Sequence, residues 1–168
     1  MVEDGGTMTT RNMPQPSPSK QASSLGKAWV ALCLAFVLHV ADEALTNFLA
    51  VYNPTVIALR AKYAWFPMPV FQFEVWLTGL ILVSILLLCL SPFAFRGARW
   101  IRPFAYLFAV LMLVNGVGHT LGTIFGQTVV AVHFTRPMPG FYSSPTLLAA
   151  SIYLLFQLKA SAGTSEAQ

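Results

Sequence analysis

Nine residues, His39-Val-Ala-Asp42-Glu43-Ala-Leu-Thr-Asn47, put an imidazole and two adjacent carboxylates into an otherwise apolar run, AWVALCLAFVLHVADEALTNFLAVY. The run is long enough to cross a hydrocarbon core. A charged side chain at the centre of such a helix costs roughly 2.5–3.5 kcal/mol on insertion scales. The chain can keep these groups only by facing them toward other protein or toward water. Any fold it adopts must therefore pack further helices around this stripe.

Composition supports a membrane setting. Of the 168 residues, 56% are apolar and 10% are charged, against about 25% charged in soluble domains. The mean hydropathy is +0.65. The Lys and Arg residues sit at the ends of apolar runs, a placement selected by lipid headgroups, which argues against a nucleic-acid partner. Cys33 and Cys89 lie inside apolar segments without metal or redox spacing and read as packing residues.

The pattern along the chain predicts an all-α, polytopic four-helix membrane bundle over residues 27–160. Residues 1–26 are polar and rich in Pro, Ser, Thr and Gly, and are expected to form a disordered tail. Helices are expected near 28–51, 70–93, 103–125 and 141–160, with a polar tail at 161–168. Asn53-Pro54 is expected to end the first helix. A short interfacial segment containing Arg60, Lys62, Tyr63, Trp65 and Phe66 would follow it. Gly118, Gly122 and Gly126 recur every fourth residue, a register that lets neighbouring helices approach closely. His133 and Arg136 fall in the connection to the last helix, where they read as an interface residue and a headgroup anchor.

With four spans, one side receives Arg11, Lys20, Lys27, Arg96, Arg99, Arg102 and Lys159, and the other only Arg60, Lys62 and Arg136. The positive-inside rule then puts both termini in the cytoplasm of a plasma (inner) membrane protein. Helical rise converts this topology into depth. His39 and Asn115 fall roughly 16 Å above the cytoplasmic edge, and Glu43 and His119 roughly 22 Å. Glu74, on the helix running the other way, falls at roughly 24 Å. On the helical wheel His39, Asp42, Glu43 and Asn47 form one polar stripe. These seven residues are the candidate site.

The H-x-x-D-E pattern of His39, Asp42 and Glu43, the second helical histidine His119 and the later Pro137-Met138-Pro139-Gly140 resemble the HXXEE family. That family comprises small integral membrane proteins without an assigned function, marked by H-x-x-E-E, another histidine and Y-x-P-G. Asp42 replaces the first Glu and Pro137 the Tyr. The resemblance covers about residues 30–158 and implies a membrane protein with a shared site, but no reaction.

Imidazole and carboxylate groups from facing helices are how bundles build metal centres. His39, Glu43 and His119 are candidate ligands, with Asp42 or Glu74 as further ligand or general base. Two nitrogens and one carboxylate suit Zn²⁺ or non-haem iron. Such a site would make the protein a metal-dependent hydrolase or oxidoreductase acting on a lipid-soluble small molecule in the bilayer. The same residues also fit a proton or ion pathway, which on so few helices would call for a homo-oligomer. A third reading has them cross-link helices by hydrogen bonds to Asn115, His119 and Thr123, and a fourth has them bind a ligand without chemistry.

Overall fold

Buried residues recur every third or fourth position along the first helix, α1 (Pro18–Leu45): Leu25, Ala28, Trp29, Leu32, Cys33, Phe36 and Val40. That spacing is one face of an α-helix. His39 and Glu43 extend the same face, and both are buried. The polar pair thus occupies the last two turns of the stripe around which the core forms.

The computed structural model describes residues 18–163. After α1 come α2 (Leu49–Lys62), α3 (Phe73–Cys89), α4 (Ser91–Phe95), α5 (Ile101–Phe125) and α6 (Ser144–Gly163). No strand occurs among the described residues beyond an isolated bridge between Gln127 and His133. The stretches Ser19–Leu45, Phe73–Phe95 and Ile101–Phe125 are long and apolar enough to cross a membrane. α6 is not among them; its sequence includes Ser151, Gln157 and Lys159.

α6 packs against both α1 and α5. It starts beside Asp42 near the end of α1, and its Leu154 and Leu158 share the core with Leu25, Ala28 and Trp29, so it runs antiparallel to α1. Gly116 of α5 permits close contact with α6: a Cβ there would come 2.9 Å from Leu148. α3 lies along α1, where the Trp29 indole donates to the Leu87 carbonyl at 3.0 Å. Its outer side leaves Ile81, Leu82, Ile85 and Leu86 exposed.

Several boundaries differ from the pattern reading. α1 begins at Pro18, so residues 18–26 are helical; the rest of the expected tail, 1–17, lies outside the described residues. The extension is held by tertiary packing, because Leu25 is buried and Gly26 lies flush on the Phe95 ring of α4. The first helix ends not at Asn53-Pro54 but at a turn where Asn47 adopts φ 57°. Asparagine tolerates this left-handed conformation better than most residues. Pro54 lies inside α2, so the expected interfacial segment is a 14-residue helix. Asn53 instead pins the next loop: its amide donates to the Phe71 carbonyl at 2.9 Å and accepts from the Phe71 N–H at 3.0 Å.

The second expected helix divides at Leu90 into α3 and α4, because Pro92 has no N–H with which to continue the ladder. α5 follows its expected span and closes on Gly126, at φ 71°. α6 runs from Ser144 to Gly163, past the expected end; residues 164–168 lie outside the description. Of the glycine stripe, Gly122 packs under Met138, whereas a Cβ at Gly118 would meet nothing within 4 Å. The glycine that brings α5 onto α6 is Gly116, off that register.

Gly26→Leu is expected to cost about 1–3 kcal/mol, the usual range for overpacking. Adding Phe95→Ala should recover part of that loss. Thermal unfolding of both variants in detergent checks the pair.

Candidate metal centre

The polar groups converge where α1, α5 and the start of α6 meet. Glu43 Oε1 lies 3.1 Å from His119 Nε2 and 3.4 Å from His39 Nε2. The two imidazole rings stand edge to face with centroids 4.8 Å apart. One donor atom from each residue falls within 4.8 Å of the others, and all three side chains are buried. Three ligands at about 2.0–2.1 Å around a tetrahedral ion would be separated by about 3.3 Å. Two of the three edges already have about that length.

Each imidazole has its own setting. His39 Nδ1 is 2.8 Å from Ser143 Oγ, and His39 Nε2 is 3.0 Å from Asn115 Nδ2. The Asn115 amide nitrogen can only donate, so His39 Nε2 carries the lone pair and Nδ1 the proton. The other side agrees. Ser143 donates its hydroxyl proton to Asp42 Oδ2 at 2.8 Å, which leaves its oxygen free to accept from His39 Nδ1. A line Asp42–Ser143–His39 therefore turns the unprotonated nitrogen of His39 toward Glu43. Carboxylates commonly orient metal-bound imidazoles in this way, here through an intervening serine.

His119 Nε2 donates to Glu43, and its Nδ1 is buried without a hydrogen-bond partner. The Phe48 ring lies 5.6 Å from it, centroid to centroid. Above the group runs the connection 127–143, and three of its backbone N–H groups donate to side-chain oxygens of α1, the turn after it and α5. Met138 N–H donates to Thr123 Oγ1 at 3.0 Å, Gly140 N–H to Thr46 Oγ1 at 3.2 Å, and Ser143 N–H to Asp42 Oδ2 at 2.8 Å. Gly140 has φ 84°, and a Cβ there would come 2.8 Å from His119 Cε1 and 3.0 Å from Glu43 Cγ. Only a residue without a side chain closes the roof so tightly.

His39, Glu43, His119 and Asn115 therefore come together. The other candidates do not join them. Asp42 falls on the α6 flank of the wheel, where two donors from Ser143 engage it at the start of α6; it orients His39 through that serine rather than entering the group. A carboxylate at a helix N-terminus is also favoured by the helix dipole. Asn47 is exposed, because it forms the turn that ends α1. Glu74 is exposed in the first turn of α3, where the same dipole suits it, and is not part of the group. His133 and Arg136 are exposed, the Arg136 guanidinium lying over Gly126. Thr123 bonds the His119 backbone carbonyl and the Met138 N–H rather than the side chain of any candidate ligand.

Sequence reasoning missed Ser143. A signal was available in Ser143-Ser144-Pro145, a helix-start pattern placed just after Pro139-Gly140. No known protein family, curated protein or solved structure matches the chain in the comparisons made.

Gly140→Ala is expected to destabilise the protein by about 1–3 kcal/mol, through a left-handed backbone and contact with the His119 and Glu43 side chains. Ser143→Ala should cost a similar amount, about 1–3 kcal/mol, because the buried His39 Nδ1–H loses its acceptor. Denaturant or thermal unfolding of the two variants compares them.

Proposed function

We propose that the chain is an integral membrane protein in which His39, Glu43 and His119 hold a divalent ion, Zn²⁺ or non-haem Fe²⁺. In this reading it is a metal-dependent enzyme, a hydrolase or oxidoreductase, working on a lipid-soluble substrate. The observation that carries it is the meeting of two imidazole nitrogens and a carboxylate oxygen within 4.8 Å, buried in the fold. A set of two nitrogens and one oxygen leaves coordination positions open, as catalytic rather than structural sites do. A bound ion would supply Lewis acidity or an activated water.

The chain's own residues contribute orientation and dryness. Asp42 and Ser143 hold the His39 proton on Nδ1. Gly140 and the connection above it cover Glu43 and His119. Asn115 holds His39 Nε2 until a ligand replaces that hydrogen bond.

Membrane placement belongs to the same proposal. Its support is the three apolar helical stretches and the large apolar side chains exposed along α3 and α5. α6, antiparallel to α1, would be the fourth span of a four-helix bundle. The surplus of basic residues on one side supports cytoplasmic termini in an inner membrane. Membership of the HXXEE family is proposed on His39, Asp42, Glu43 and His119.

The hydrogen-bonded line through Asp42, Ser143 and His39 toward Glu43 and His119 favours a second reading, proton transfer through the group. Metal analysis separates the two. Protein purified without chelator should carry close to stoichiometric Zn or Fe, and His39→Ala, Glu43→Gln and His119→Ala should each lower metal affinity at least about tenfold. Metal retention should fall as pH drops through the imidazole range, because protons compete for the ligand nitrogens. Metal-free protein that still moves protons in liposomes, and loses that ability in Glu43→Gln, would support the second reading instead.

A further inference from the structure

A cavity of about 590 Å³ between α5, α2 and the connection after α5 reaches one of the three candidate ligands, His119. Small-molecule pockets typically span about 300–1,000 Å³. Its walls are mainly apolar, with Phe48, Val51, Tyr52 and Met138 on one side and Leu121 on the other. At its floor stand Asn115 and His119, the residues that tie it to the candidate metal centre. At its mouth Val114 and Phe125 are each 65% exposed on the flank of α5. In a chain spanning a bilayer, that flank faces acyl chains rather than water.

We infer that this cavity binds an elongated, uncharged lipophilic alcohol that enters sideways from the hydrocarbon core and rests its hydroxyl beside Asn115. The inference rests on the membrane reading above but not on bound metal. Size and apolar walls select a hydrocarbon body. Tyr52, Thr55, Gln127 and Thr128 also line it, but no Lys, Arg, Asp or Glu does, so it offers no charged partner to a phosphate or ammonium headgroup. The Asn115 carboxamide has two N–H donors and one acceptor oxygen, and one N–H goes to His39. A hydroxyl can both donate and accept, which matches what the carboxamide has left.

Gly118 also lines the cavity, and a Cβ there would meet nothing within 4 Å. A larger side chain at that position should occupy the ligand's space without displacing protein, and replacing a helical glycine tends to strengthen the helix.

The test is photolabelling of the protein in nanodiscs with a diazirine-bearing hexadecanol, using the matching hexadecane and an alkyl phosphocholine as comparison probes. Labelled sites are mapped by mass spectrometry. The alcohol should label cavity residues such as Met138 and Leu121 about tenfold more than the exposed α3 face at Ile81–Leu86, the worth of one satisfied hydrogen bond. Gly118→Leu should abolish the excess while leaving metal content and α3 labelling as in the wild type. Val114→Trp, at the exposed mouth, should lower it without touching the core, and serves if the first variant fails to fold. Asn115→Leu should erase the preference for alcohol over hexadecane. Equal labelling of cavity and α3 face, equal labelling by hexadecane, or stronger labelling by the phosphocholine would each overturn the inference. Metal-free protein that still shows the alcohol excess would retain the cavity assignment and reject the metal reading; metal-loaded protein without the excess would do the reverse.

Discussion

Glu43 is 5% exposed and sits between two imidazoles, on the face of α1 that also carries Leu25, Trp29, Leu32 and Phe36 into the core. A buried carboxylate left without a hydrogen-bond donor costs about 1–3 kcal/mol, and more when it is charged. α5 must therefore present His119 at the right height, and α6 must start where Ser143 can hold His39. The core packing and the polar group share one helix face, so neither can be rearranged without the other.

The second constraint is closure. A buried polar cluster is costly unless its members are hydrogen-bonded. Here the turn at Asn47, the connection 127–143 and Gly140 seal the open end of the α1–α5–α6 contact. Sealing is incomplete on one side, where the cavity reaches Asn115 and His119. A buried, oriented group with one lined approach is the arrangement on which the proposed lipophilic ligand rests.

Much of this was legible from spacing. Residues four apart share a helix face, and helical rise gives height, so His39 with Asn115 and Glu43 with His119 could be matched in level before any packing was known. α5 ends at the expected Phe125, but Gly126, read from sequence only for its packing register, proves to be the left-handed cap that stops it. Facing was not legible for Glu74. The apolar residues of α3 surround the helix, so no periodicity says which side meets protein. Ser143 lies 104 residues from His39, and no local pattern links them. The early start of α1 was hidden because residues 18–26 are polar by composition and become helical through packing on α4. Pro54 misled for a related reason: a proline forbids one hydrogen bond, and α2 tolerates that loss while Asn47 turns the chain.

The central claim is that α1 and α5 jointly hold one divalent ion through two imidazoles and a carboxylate. Titration of metal-stripped protein with Co²⁺, followed by visible absorption, tests it most directly. The account predicts saturation at one Co²⁺ per chain with the intense absorption of a four- or five-coordinate site, lost in His119→Ala and in His39→Ala. A weak octahedral spectrum, unchanged by either substitution, would contradict it.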